Sequence, residues 1–169
     1  MITYRDAAEK DTALILRFIR ELAEYEKLLH EVVATEEEIR STLFCANPKV
    51  FSVIAERDGQ PAGFTLCFYN YSTFQGRPGI YIEDLYVRED CRGMGIGKGF
   101  FHYLARKAVA ENCGRIQWWV LDWNEPSIAF YRKMGATPMN EWTTFRLEGK
   151  AIESLAFSPA DKAEKGAAG

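Results

Sequence analysis

The chain has 169 residues, 47% hydrophobic and 27% charged, enough apolar material for one continuous core and too much for a disordered chain. Its 21 Lys and Arg against 24 Asp and Glu leave a formal charge of −3, so it lacks the basic face with which a dedicated nucleic-acid binder displaces phosphate counterions. No apolar run approaches the roughly 20 residues of a membrane helix, and residues 1–11 have neither the basic start nor the apolar stretch of a signal peptide, so a cytoplasmic domain with no nucleic-acid or membrane partner is expected.

Ile2–Arg5 reads as a short strand. A helix follows from Thr12 to about Leu29, because Leu14, Phe18 and Leu22 recur at i, i+4 and i+8 with Ile15 and Ile19 beside them. Thr35 with Glu38 three residues on is a capping-box pattern and predicts a second helix to about Phe44. Val50–Glu56 and Ala62–Tyr69 are apolar and β-branched, and the Asp58-Gly59 pair between them favours positive φ, which predicts a β-hairpin. A third strand of this group, Ile80–Val87, runs into the glycine-rich stretch Arg92–Gly99 and then a helix to about Asn112. Arg115–Leu121 reads as another buried strand, with Trp118, Trp119 and the nearby Trp123 as core. Asn124 as N-cap and Pro126 in the first turn start a helix that ends near Met134-Gly135, and Thr143–Glu148 reads as a closing strand. The order β-α-α-β-β-β-α-β-α-β predicts an α/β fold with a mixed sheet, antiparallel through the hairpins and parallel across the glycine-led helix. The small polar segment Ser158–Gly169 reads as a flexible tail after a single domain spanning 1–157.

Cys45, Cys67, Cys91 and Cys113 are each more than 20 residues apart and form no CxxC, and the chain has only two histidines, so neither a metal site nor a structural disulfide is expected. Buried reduced thiols are the expectation.

Gly93, Gly95, Gly97 and Gly99 alternate at a strand-to-helix junction. The spacing fits neither nucleotide motif of that kind. A dinucleotide fingerprint would need glycine at Lys98 or Phe100, and a P-loop would need glycine at Arg92 and a hydroxyl residue at Gly99. The chemistry still suits an anion, since glycines bring backbone N–H groups close to a ligand, a helix N-terminus adds partial positive charge, and Arg92 and Lys98 flank the turn. The competing reading is a loop used only for tight turning.

Arg92-Gly93-Met94-Gly95-Ile96-Gly97 resembles the Arg/Gln-x-x-Gly-x-Gly/Ala signature of the GNAT family of N-acetyltransferases, where it cradles the pyrophosphate of acetyl-CoA. Residues 81–87 (YIEDLYV), 122–127 (DWNEPS), 130–136 (FYRKMGA) and 21–26 (ELAEYE) resemble the diamine acetyltransferase branch, and the resemblance spans roughly residues 3 to 148 in the strand order above. It implies a mostly antiparallel central sheet flanked by helices, with a parallel pair around the cofactor turn. It also implies acetyl-CoA as cosubstrate, no metal, a small-molecule amine as acceptor, and a homodimer with Glu141 and Trp142 near its interface.

Acetyl transfer to an amine needs the ammonium deprotonated although it titrates near ~10, the thioester carbonyl polarised, and the departing thiolate protonated. The resemblance implies Glu83 as base and Asp84 as a second acidic contact; being adjacent in a strand, the two are expected on opposite faces. It implies main-chain contacts to the cosubstrate from Leu85, Tyr86 and Val87, further contacts from Gly93, Met94, Gly95, Ile96, Gly97, Lys98, Asn124 and Ser127, and Tyr131 as proton donor to the thiolate. On its helix alone Tyr131 reads as a core residue with a wet tip, beside Phe130 as plain core, and Arg132 and Lys133 as either phosphate contacts or a solvated face. Tyr25 and Glu26 match positions that line the amine channel.

The chain departs from the polyamine pattern at residues 71–76 (YSTFQG), where Ser72 replaces an acidic residue and Phe74 a tryptophan. Losing that carboxylate removes a partner for a distal ammonium, and the Ser-Thr variant resembles the sister branch that acetylates thialysine. A lysine-like amine or short diamine is therefore expected, with spermidine or spermine as the alternative, and a non-catalytic acyl-CoA sensor or a peptide N-acetyltransferase as more distant ones.

Overall fold

The computed structural model describes residues 1–157, and the tail expected at Ser158–Gly169 lies outside the described residues. The chain divides into two compact units, Met1–Leu121 and the part from Asp122 onward.

The first unit contains β1 (Ile2–Asp6), α1 (Thr12–Tyr25), α2 (Glu36–Leu43), β2 (Val50–Arg57), β3 (Gln60–Ser72), β4 (Arg77–Val87), α3 (Ile96–Ala110) and β5 (Ile116–Trp118). The sheet runs in the order β1-β2-β3-β4-β5, antiparallel through β4 and parallel between β4 and β5. The mixed α/β expectation holds, because short turns join β2 to β3 and β3 to β4, and α3 is the crossover that makes the last pair parallel.

Helices cover both faces. Ile15, Phe18, Ile39 and Leu43 of α1 and α2 pack on Ile54, Phe64 and Tyr86 of the sheet, and the Phe18 and Phe64 rings stack with centroids 5.4 Å apart. On the other face Phe100 of α3 packs with Val53 and Ala55, and Leu104 and Ala108 pack with Cys67, Ile80 and Ile82. Each large side chain buried this way contributes about 1.5–3 kcal/mol.

Polar contacts fix both ends of α1. Arg5 donates to Asp11 through Nη1 and Nη2 (2.7 and 2.9 Å) and to Glu56 through Nε (2.8 Å), and the guanidinium holds the Asp11 carboxyl below its ordinary range. At the far end Lys27 adopts φ 63°, the Lys27 N–H donates to Glu24 O (3.0 Å) and the Leu28 N–H to Ala23 O (2.7 Å). That is the hydrogen-bond pair of a left-handed helix stop. It ends α1 at Tyr25, four residues short of the sequence expectation, because a lysine stands where glycine usually marks such a stop. Glu26 is thereby fixed as the C-cap.

Other expectations need correction. The strand read at Arg115–Leu121 is only Ile116–Trp118. Trp118 packs on Phe101 (centroids 4.8 Å), but Trp119 and Trp123 are 62% and 53% exposed rather than core. Cys67 and Cys91 are buried thiols as expected, whereas Cys45 is exposed and Cys113 half-buried.

In the second unit α4 (Glu125–Lys133) has the expected cap, with Asn124 Oδ1 accepting from the Ser127 N–H at 3.3 Å, and it ends where Gly135 takes φ 87°. The strand expected at Thr143–Glu148 does not form. Its alternation is present, with Phe145 and Leu147 92% and 60% exposed, but the described part of this unit holds no strand against which such a pattern could pair. A helix unforeseen from the sequence, α5 (Lys150–Ala156), follows; its residues KAIESLA are mostly strong helix formers.

Candidate active site

The pairing of β3 with β4 slips by one residue at the centre of the sheet. Leu66 faces Asp84 and Cys67 faces Ile82, so Glu83 is the extra residue of a β-bulge. Ile80 and Ile82 point to the α3 face before the slip, and Leu85 and Val87 point to the same face after it. Glu83 and Asp84 therefore both fall on the opposite, α1-side face. This corrects the opposite-face expectation: strict alternation separates adjacent side chains, and one inserted residue cancels it. The bulge is held from behind by the fully buried Thr65, whose hydroxyl donates to the Asp84 carbonyl at 2.8 Å.

The two carboxyl groups sit in different surroundings. Glu83 is exposed, while Asp84 is half-buried. Burial pushes the Asp84 carboxyl up to about 7, and the charges of Glu83 and Glu26 push in the same direction. Burial also raises the Glu26 carboxyl. An acidic cluster thus forms from the bulge and the end of α1. Beside it, the Arg92 guanidinium lies 4.7 Å from the centre of the Tyr25 ring and 6.0 Å from that of Tyr86, and Arg92 Nε donates to Val87 O at 3.1 Å. Tyr86 itself is buried against Phe18.

The same bulge marks where the sheet opens. β5 pairs with β4 only as far as Ile82–Trp118, while β4 continues to Val87. On its β5 side the main chain of Leu85–Val87 therefore has no strand partner, and this open edge, the slot, is followed in the chain by the glycine turn. There Gly93 and Gly95 take φ 76° and 81°, and Gly95 caps α3. A Cβ on either would meet nothing within 4 Å, so backbone conformation alone demands glycine, and the space beside each α-carbon is open. Gly99 has another role. A Cβ there would overlap the Tyr4 hydroxyl, which donates to Ile96 O at 3.0 Å. Ile96 is core, Lys98 is exposed, and the Met94 sulfur accepts from Arg57 at 3.4 Å.

Ser72 and Phe74 stand apart from this group. Ser72 lies six residues along β3 from Leu66, the partner of Asp84, which is about 20 Å of strand. It is buried in its own turn, where its hydroxyl accepts from the Gln75 N–H at 3.3 Å, and Phe74 is 96% exposed at the hairpin tip. One chain does not bring them to Glu83 and Asp84. In the second unit Tyr131 is half-buried near the end of α4, its ring centroid 5.5 Å from that of Phe130, and Asn124 and Ser127 form the cap of the same helix. Among the described residues no group of three or more His, Cys, Asp or Glu could hold a metal ion, and no helix is long and apolar enough to cross a membrane.

The acetyltransferase (GNAT) family profile matches residues 17–136, which include the bulge, the slot and the glycine turn. The chain belongs to the GNAT acetyltransferase family. It is 40% identical over 166 residues to a thialysine N-epsilon-acetyltransferase of Sus scrofa, covering 92% of this chain and 97% of that protein. It is 32% identical to an L-ornithine N5-acetyltransferase of Arabidopsis thaliana, covering 89% of this chain and 86% of the relative. In fold it is similar to an integron cassette protein from the Vibrio cholerae mobile metagenome, with a TM-score of 0.78 at 24% identity over 93% of this chain and 98% of that one.

GNAT enzymes use acetyl-CoA as acetyl donor, and the open glycine turn fits that anion-bearing molecule. If this GNAT chain binds pyrophosphate there, Gly95→Ala has a defined effect. A left-handed L-residue is strained by about 1–2 kcal/mol; the free loop relaxes away from the strained form, and binding must restore it. Acetyl-CoA affinity is expected to fall roughly 5–30-fold, since about 1.4 kcal/mol is tenfold. Titration calorimetry checks this, and an unchanged affinity would remove the turn from the binding site. Two features of this candidate site escaped sequence reading. One is the bulge, which leaves no residue signature. The other is the Arg92–Tyr25 stack, which joins elements distant in sequence.

Proposed function

We propose that this acetyltransferase transfers the acetyl group of acetyl-CoA to the primary amine of a small molecule, thialysine or another lysine-like amino acid or a short diamine, by direct attack of the neutral amine on the thioester. The observation that carries the reading is the bulge that turns Glu83 and Asp84 to one face beside the slot. Acetyl-CoA supplies an activated acetyl group as a thioester. Arg92, Lys98 and the backbone of 93–97 hold its phosphates, and Asn124 and Ser127 at the head of α4 contact its pantetheine arm. Glu26 with Tyr25 attracts and orients the substrate ammonium, and the Glu83–Asp84 pair takes its proton, a task for which a carboxyl poised at about 7 is suited. A main-chain N–H of Leu85–Val87 donates to the carbonyl oxygen as charge develops there, and Tyr131 gives a proton to the departing sulfur.

Substrate class follows from charge. The relatives named above act on thialysine and on ornithine, amino acids with a side-chain amine, and both names support the small-amine reading. Ser72 supplies no carboxylate for a distal ammonium, which weighs against spermine. The family match crosses the boundary between the two compact units, which supports one catalytic domain. We also read the enzyme as a homodimer, because Ser72 and Phe74 can join an acceptor site only if a second copy supplies them.

Coenzyme A release is the test, with thialysine, lysine, ornithine, putrescine, spermidine, spermine and a peptide N-terminus as acceptors. Thialysine or ornithine is expected to lead. Spermidine in the lead would keep the chemistry and overturn the reading of residues 71–76. Tight acetyl-CoA binding with no turnover on any amine would replace the enzyme reading with an acyl-CoA sensor.

A further inference from the structure

One buried polar group of the sheet has no work in the account above. The Tyr81 hydroxyl oxygen is buried and has no hydrogen-bond partner among the described residues. Other tyrosines whose rings pack on the sheet are satisfied: Tyr4 donates to Ile96 O, Tyr69 to Glu111 and Tyr103 to Asp6. The Tyr81 ring is fixed from two sides, stacked on Phe68 (centroids 4.9 Å, 29°) and edge-on to Trp119 (5.8 Å, 87°). A phenylalanine would fill that place equally and would leave no hydroxyl stripped of water, so the free protein bears the hydroxyl at a loss.

Its position says what that hydroxyl faces. Tyr81 lies one residue before the last β4–β5 pair, at the mouth of the slot, and two residues before Glu83 on the same, α1-side face. Burial pushes the phenol up to about 12, and the nearby Glu83 charge adds to the shift. The charged groups on this face are Glu83 and Asp84 of β4, Glu26 at the end of α1, and Arg92 and Glu21 beside Tyr86; Phe68 and Trp119, which pack on the ring, bring none.

We propose that Tyr81 is a positioning residue of the acceptor site: with the amine bound, its hydroxyl donates a hydrogen bond to the Glu83 carboxylate and holds that otherwise exposed side chain against the slot. The proposal rests on the reading that the Glu83–Asp84 pair serves the amine. It explains why an unsatisfied donor stands next to the one carboxylate of the pair that burial does not fix. A hydrogen bond to the Glu83 charge also screens it from Asp84, whose carboxyl that charge pushes up.

The test is Tyr81→Phe, with wild type measured first on its best amine. The variant is expected to be as stable as wild type or more so, since it loses a hydroxyl that bonds no group among the described residues. Its kcat/KM for the amine is expected to fall about 10–100-fold, the range for a hydrogen bond to a charged group, with KM for acetyl-CoA unchanged. The acid limb of the pH profile moves to higher pH. Adding Tyr81→Phe to Glu83→Gln costs nothing further if Tyr81 acts through Glu83. Wild-type kinetics and pH profile in Tyr81→Phe would overturn the proposal, as would a clear fall in Tm, which would make the hydroxyl a structural bond. A wild type silent on every amine takes down the proposed function and this inference with it, whereas an active wild type with an indifferent variant sinks the inference alone.

Discussion

Asp84→Asn is expected to lower kcat/KM for the amine by about 10²–10⁴-fold, the range for loss of a general base, and to make the protein more stable at pH 8. The two effects have one cause. The folded Asp84 carboxyl is pushed up to about 7 by burial and by its acidic neighbours, whereas an unfolded aspartate titrates near ~3.9. The folded state therefore holds this proton more tightly than the unfolded state, and stability falls as pH rises from about 4 through about 7. Asparagine carries no charge to desolvate, so the gain in Tm is expected at pH 8 and absent below about pH 4. Glu83→Gln makes a matching prediction. Removing the like charge lowers the Asp84 carboxyl, so the acid limb of kcat/KM moves to lower pH. Thermal melts across pH with initial rates for both variants settle the assignment. A stabilised Asp84→Asn that keeps its activity, beside a Glu83→Gln that loses it, would give the base role to Glu83 alone.

Tyr131→Phe is the second large effect. The substitution keeps the ring beside Phe130 (5.5 Å between centroids) and leaves the α4 cap at Asn124 untouched, so folding and acetyl-CoA binding are expected to stay as they are. Turnover is expected to fall about 10²–10⁴-fold if the phenol protonates the leaving sulfur. A positioning role would lower rates too, so the leaving group decides. A donor thioester whose thiol is more acidic departs with less need of a proton, and the deficit of Tyr131→Phe should shrink with it. A deficit independent of the thiol would make Tyr131 a packing residue.

Much of the fold is legible in the residues because local physics specifies it. The Asp58-Gly59 pair takes φ 52° and 79° and closes the expected hairpin. Thr35 and Glu38 form the expected capping box, and Asn124 caps α4. Gly93 and Gly95 take the positive φ that their place at a strand-to-helix junction suggests. Local rules also mislead where the structure departs from the usual residue. The stop of α1 at Lys27 looks like a continuing helix because lysine is a good helix former, and Thr143–Glu148 alternates like a strand without one to pair with.

The family resemblance implied the set of acidic and aromatic side chains at the site, while the sequence by itself determined the order and type of the elements in the first 121 residues and the glycine turn. Each of these depends on neighbours a few residues apart. Tertiary structure alone decided how that set is arranged. The bulge that puts Glu83 and Asp84 on one face arises from the register between β3 and β4, and the slot from the point where β5 stops pairing. Burial and neighbouring charges push the Asp84 carboxyl up to about 7, and burial leaves the Tyr81 hydroxyl with no partner among the described residues. Register, the extent of strand pairing and desolvation are sums over contacts between elements far apart in the chain, and no local run of residues encodes them.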